Sequence, residues 1–116
     1  MSATQTPFVR PISEWEPYTQ GEKPGIDFLR ILNTDEVRGL TLGQVTLTGP
    51  VHKMPATHDE WEQVYLILEG TGTVHLGSDS QKVSGPAVVV IPKHTLHSVQ
   101  LQAGEKLKYV YINQHR

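Results

Sequence analysis

A chain of 116 residues is long enough for one compact domain that buries roughly two thirds of the surface its unfolded form exposes, and too short for two. It contains no cysteine, which excludes disulfides and thiolate metal sites, so any transition-metal site has to use His, carboxylate, amide oxygen and water. The formal net charge of -2, with both signs interspersed, offers no basic face to nucleic acid, and no apolar run approaches the length of a signal peptide or a membrane span, so a soluble, cytoplasmic protein is expected.

Residues 1–26 hold Pro7, Pro11, Pro17 and Pro24, four of the eight prolines, and read as an extended arm rather than a helix. Trp15 and Tyr18 are expected to pin this arm to the remaining domain, 27–116, or to a partner subunit. Apolar runs of strand length then follow in order: IDFLRIL, GLTLGQVTL, QVYLILEG, GTVHLG, AVVVIP, HSVQL and KLKYVYI. They are separated by NTDE, TGP, EGTG, GSDS, SGP and AGEK, segments rich in Gly, Asp, Ser or Pro that favour turns. Evenly spaced short strands indicate an all-β sandwich or barrel, and no window has the three- and four-residue apolar spacing of a long amphipathic helix. No internal repeat or low-complexity tract is present.

Two segments carry a more specific signal. The first runs His58, four residues, Gln63, six residues, Gly70; the second runs Gly85, then Pro92, Lys93, His94, Thr95, Leu96 and His97. Together they resemble the two motifs of the cupin family, over roughly Gly43 to Ile112. The family's first motif is glycine, five residues, H-x-H, three or four residues, Glu, six residues, glycine; its second is glycine, five residues, P-x-G-x-x-H, three residues, Asn. The resemblance implies an all-β double-stranded β-helix, a jelly-roll-like barrel over 27–116, often dimeric and with a metal inside. This chain departs from the pattern at four positions: Ala56 replaces the first His, Gln63 the Glu, His94 the P-x-G glycine and Leu101 the final Asn. Gly85 also lies one residue further from Pro92 than the pattern asks.

The resemblance implies a divalent metal, Zn, Mn, Fe or Ni, on His58, Gln63 and His97. Strand alternation places Met54, Ala56 and His58 on one side, and Gln63, Tyr65 and Ile67 on one side of the next strand. With Glu replaced by a neutral amide, the ion keeps its full charge, which favours Lewis-acid polarisation of an oxygen at some cost in affinity. Ala56 leaves one ligand position open. His52 lies six residues from His58, roughly 20 Å along an extended strand, so it is too far without a bulge. His75 is the better candidate for a fourth ligand, although Val74 and Leu76 are equally plausible interior residues. Tyr65 and His94 are read as proton carriers, with His94 at the barrel mouth. Met54, Tyr65, Ile67, Val88, Val90, Val99 and Tyr109 are expected to line the cavity. Lys82, Lys93 and Lys108 are read as surface residues and His115 as tail.

The leading functional reading is a metal-dependent enzyme, of isomerase, cyclase, lyase or dioxygenase type, acting on a small oxygen-rich substrate as a homodimer. The alternatives are a non-catalytic small-molecule-binding cupin with a degenerate metal site, and a metal-free catalyst with a His general base.

Overall fold

The computed structural model describes residues 7–18, 24–53 and 55–115. Among them are a single 3-10 turn, Ile12–Glu14, and nine strands: β1 (Glu16–Tyr18), β2 (Ile26–Leu32), β3 (Leu40–Thr48), β4 (Val51–His52), β5 (Trp61–Leu76), β6 (Asp79–Ser84), β7 (Ala87–Ile91), β8 (His97–Leu101) and β9 (Lys106–His115). The strands run in the order β1-β2-β3-β9-β5-β8-β4, with β6 and β7 also paired to β5. Every pairing is antiparallel. This is an all-β jelly-roll barrel, and among the described residues no helix is long and apolar enough to cross a membrane.

The long strand β5 organises the barrel. Its first half pairs with β7 and β9, with Gln63 opposite both Ile91 and Asn113 and Tyr65 opposite both Val89 and Tyr111. Its second half pairs with β6 and β8, with Val74 opposite both Gln81 and Val99. The register against β9 shifts between Ile67 and Glu69, and Gly70 follows with a φ of 97°. A Cβ at Gly70 would collide with the backbone carbonyl of Lys106. The EGTG segment therefore does not end a strand, as its composition suggests, but bends one continuous strand from one sheet into the other through a bulge and a glycine.

Inward-facing residues of the two sheets make the core, in which Val45, Leu47, Ile67, Val74, Ile91, Val99, Leu107 and Tyr109 are almost fully buried. Each such side chain contributes roughly 1.5–3 kcal/mol by leaving water. Pairing of β7 with β5 aligns Ala87, Val89 and Ile91 with the inward residues Ile67, Tyr65 and Gln63. Val88 and Val90 consequently face outward, correcting the expectation that they line the cavity: a continuous valine run hides the phase of its own alternation. Strand β6, DSQKVS, was legible only as a turn because its side chains are nearly all exposed and polar.

At the N-terminal end, β1 pairs with β2, placing Glu16 opposite Arg30. The Arg10 guanidinium forms a two-pronged ion pair with Glu36 and donates to the Ile31 carbonyl at 2.6 Å. Trp15 Nε1 donates to the Arg10 carbonyl at 3.2 Å. The side chain of Tyr18 lies outside the described residues. His115 is not a tail: it ends β9 opposite Trp61, with the two rings 4.9 Å apart.

Candidate functional site

The two motifs meet through backbone hydrogen bonds. Ala56 and His97 exchange N–H···O bonds of 2.9 Å, and the His94 amide donates to the His58 carbonyl at 2.8 Å. This short ladder fixes the segment after β4 against the start of β8. It carries the His58 and His97 rings to a centroid separation of 5.0 Å. Trp61, the first residue of β5, stacks on His58 at 4.7 Å.

Gln63 enters from β5. Its Nε2 donates to Asn113 Oδ1 on β9 at 2.7 Å, an assignment that leaves Oε1 buried without a partner. His97 Nδ1 lies 2.9 Å from the Thr95 carbonyl. A carbonyl can only accept, so Nδ1 carries the hydrogen and the neutral ring keeps its lone pair on Nε2. Burial lowers the pKa of both His58 and His97, and proximity to His97 and to the Lys53 amine lowers that of His58 further. Both imidazoles are therefore available as neutral donors at pH 7.

These residues line a cavity of about 320 Å³ that also contains Lys53, Ala56, Tyr65, Tyr109 and Tyr111. Lys53 Nζ donates to the Tyr109 hydroxyl at 3.4 Å and lies 5.1 Å from the centre of the Phe28 ring. The Tyr109 hydroxyl in turn hydrogen-bonds that of Tyr65. Burial drives the Tyr65 phenol well above its usual range, so this hydroxyl stays protonated and can donate a hydrogen bond, but it is a weak acid. Burial also lowers the Lys53 amine to about 8.

Lys53 is a cavity residue that sequence reasoning missed, as it did Phe28, Trp61 and Asn113. Counting back from His58 in twos puts position 53 on the opposite side, but β4 stops at His52 and the chain leaves strand geometry there. Nothing in a lone lysine signals that break. Of the cavity-lining expectations, Tyr65, Val99 and Tyr109 do line the cavity, Ile67 is packed in the core, and Met54 lies outside the described residues.

The structure does not bring His75 to this group. Val74 takes the inward position, and His75 faces the other side of the β5–β8 ladder, with Nδ1 2.6 Å from Ser80 Oγ and Nε2 3.0 Å from Gln100 Oε1. His52 is there too, with its ring 5.6 Å from that of His75. His94 is also outside the cavity lining: its ring is exposed, with Nδ1 3.0 Å from Asp59 Oδ1. Its φ of 65° keeps the left-handed backbone for which the P-x-G pattern specifies glycine.

Among the described residues, no three His, Asp or Glu side chains gather to hold a metal ion. A third donor beside His58 and His97 would be the Gln63 amide, whose buried oxygen has no hydrogen-bond partner and fits that role. Two neutral imidazoles and an amide oxygen suit a divalent ion that retains open positions for water or a ligand.

A family model described as the AraC-like ligand binding domain matches residues 41–115. No curated protein sequence matches the chain. Among solved structures, a predicted oxalate decarboxylase from Thermotoga maritima superposes with a TM-score of 0.83 at 16% identity, covering 94% of this chain and 100% of that one. KdgF from a Halomonas species gives 0.76 at 20% identity, covering 96% of each chain. The polyketide cyclase RemF from Streptomyces resistomycificus gives 0.77 at 16% identity, covering 94% of this chain and 80% of that one. At these identities the likeness is one of fold.

Proposed function

The chain belongs to the AraC-like ligand-binding domain family, within the cupin superfamily, and on that premise we propose that it is a metal-dependent enzyme acting on a small oxygen-rich organic molecule held in the barrel. The observation that carries this reading is the buried, unpartnered Oε1 of Gln63, a residue that lines the same cavity as the neighbouring rings of His58 and His97. An amide oxygen left bare in a polar cavity costs stability unless something binds it. His58, Gln63 and His97 would hold the ion, which when bound supplies Lewis-acid polarisation of a substrate oxygen.

The chain's own groups complete a proton-transfer site. Thr95 holds His97 in one tautomer through its carbonyl. Trp61 stacks on His58 and restricts the rotation of that ring. The hydroxyls of Tyr109 and Tyr65 form a hydrogen-bonded relay that begins at the Lys53 amine: Tyr65 can pass a proton to a substrate atom only as Tyr109 replaces it, so the amine is the net acid. Isomerisation, cyclisation and lyase chemistry all need such a donor beside a polarised oxygen. Structures with this fold include proteins named for reactions on oxalate and on polyketides, which is consistent with a substrate of this type.

The test is elemental analysis of protein purified without a histidine tag. Near-stoichiometric Zn, Mn, Fe or Ni is expected, falling in His58→Ala, His97→Ala and Gln63→Ala. Full occupancy in all three variants would place the metal elsewhere. A second reading, ligand binding without catalysis, is favoured by the neutral donor set and by the family description itself. Under that reading the purified protein holds no metal, and a bound small molecule is recovered chemically unchanged.

A further inference from the structure

Among the described residues, the cavity wall carries one cationic side chain, Lys53, and no anionic one; its histidines are His58 and His97, and it has no Asp or Glu. The described ion pairs of the chain are Arg10–Glu36, Lys82–Glu105, His94–Asp59 and Lys108–Glu69, and none involves Lys53. An amine taken out of water with no counter-charge is one of the more costly arrangements a small fold can keep. Its lowered pKa has burial as its cause, with no carboxylate neighbour to oppose it.

Geometry then limits what the missing counter-charge can be. The Lys53 amine lies 3.4 Å from the Tyr109 hydroxyl, which is itself fully buried and bonded to Tyr65, so a ligand in the cavity meets one charged donor there, the amine, which suits a single carboxylate. Phe28 lies beside the amine, and Tyr111 also lines the cavity, providing an aromatic wall for an apolar body. A phosphate, with three oxygens and nearly twice the charge, would call for more fixed donors than this corner presents.

We propose that Lys53 forms a carboxylate subsite, and that the ligand of this barrel is a small organic acid whose carboxylate docks on its amine. The proposal rests on the cavity being the ligand site, as above, but not on the metal. Lys53 is thereby the residue that selects an anion over its neutral isostere.

Calorimetric titration with benzoate and with benzamide, equal in shape and different in charge, tests it on the full chain, both as purified and after EDTA treatment. Benzoate is expected to bind about tenfold more tightly than benzamide in both preparations. Lys53→Met should abolish that preference while keeping benzamide binding, and Lys53→Arg should retain it. Equal binding of the two probes by the wild-type protein, no binding of benzoate, or an undiminished preference in Lys53→Met would each overturn the proposal. A preference that vanishes with EDTA would also overturn it, because the anion would then sit on the metal alone. A preference that survives EDTA in protein found to contain no metal upholds the subsite and defeats only the metal reading.

Discussion

At the scale of single residues, Lys53 trades stability for a binding charge. Its amine titrates at about 8 in the folded chain against 10.5 for the unperturbed group. Between those values the unfolded chain holds a proton that the folded chain has released. The folded state therefore bears the full desolvation cost below pH 8 and recovers stability as pH rises through that window. Lys53→Met is expected to gain roughly 2 kcal/mol at pH 7, and thermal unfolding should show that advantage shrinking by about pH 10. An equal gain at both pH values would mean that the amine is solvated. His94 is a second strained residue, at a φ of 65°. Its exposed contact with Asp59 offers little in return. His94→Gly should stabilise the chain by about 0.5–1 kcal/mol in urea unfolding, and a loss would show that the Asp59 contact outweighs the backbone cost. Motif spacing singled out His58, Gln63 and His97 in the sequence, and the structure brings all three to the wall of one cavity despite the alanine at position 56. The direction of His75 was not legible, since Val74 and His75 differ only in phase and phase is set by pairing with β8.

At the scale of elements, β5 is the strand on which both sheets depend. Its bend at Gly70 combines a positive φ with a backbone carbonyl occupying the space a Cβ would need. Gly70→Ala is thus expected to cost about 2 kcal/mol or more, read as a drop in the denaturant midpoint with an unchanged slope. A cost under about 0.5 kcal/mol would show that the β9 backbone moves aside freely. Most strands were readable from composition; IDFLRIL and HSVQL have the observed limits of β2 and β8. Continuity across EGTG was not readable, because a bulged glycine bend and a hairpin turn draw on the same residues. β6 escaped notice for the complementary reason: a hairpin partner held by backbone bonds needs no apolar alternation to be a strand.

At the scale of the whole molecule, the outside of the barrel carries an apolar face. Register places Val64 between Val90 and Ile112, and Leu66 between Val88 and Val110. Val88 and Val90 are 60% and 61% exposed, and Leu66 and Leu68 are 38% and 40% exposed. Two-fold association would bury such a face against its own copy, and sedimentation is expected to find a dimer that Val88→Lys with Val90→Lys converts to monomer. A wild-type chain that remains monomeric at every concentration would leave this face without a partner copy. Inside the barrel, Trp61 touches His58 on one side and His115 on another, within the cavity wall. The chain has one other tryptophan, Trp15, whose indole N–H bonds to the carbonyl of Arg10 in the N-terminal segment. Replacing Trp15 with Phe would leave a single tryptophan, placed in the cavity wall, so that its emission under selective excitation could screen compounds against this protein without labels or a known reaction.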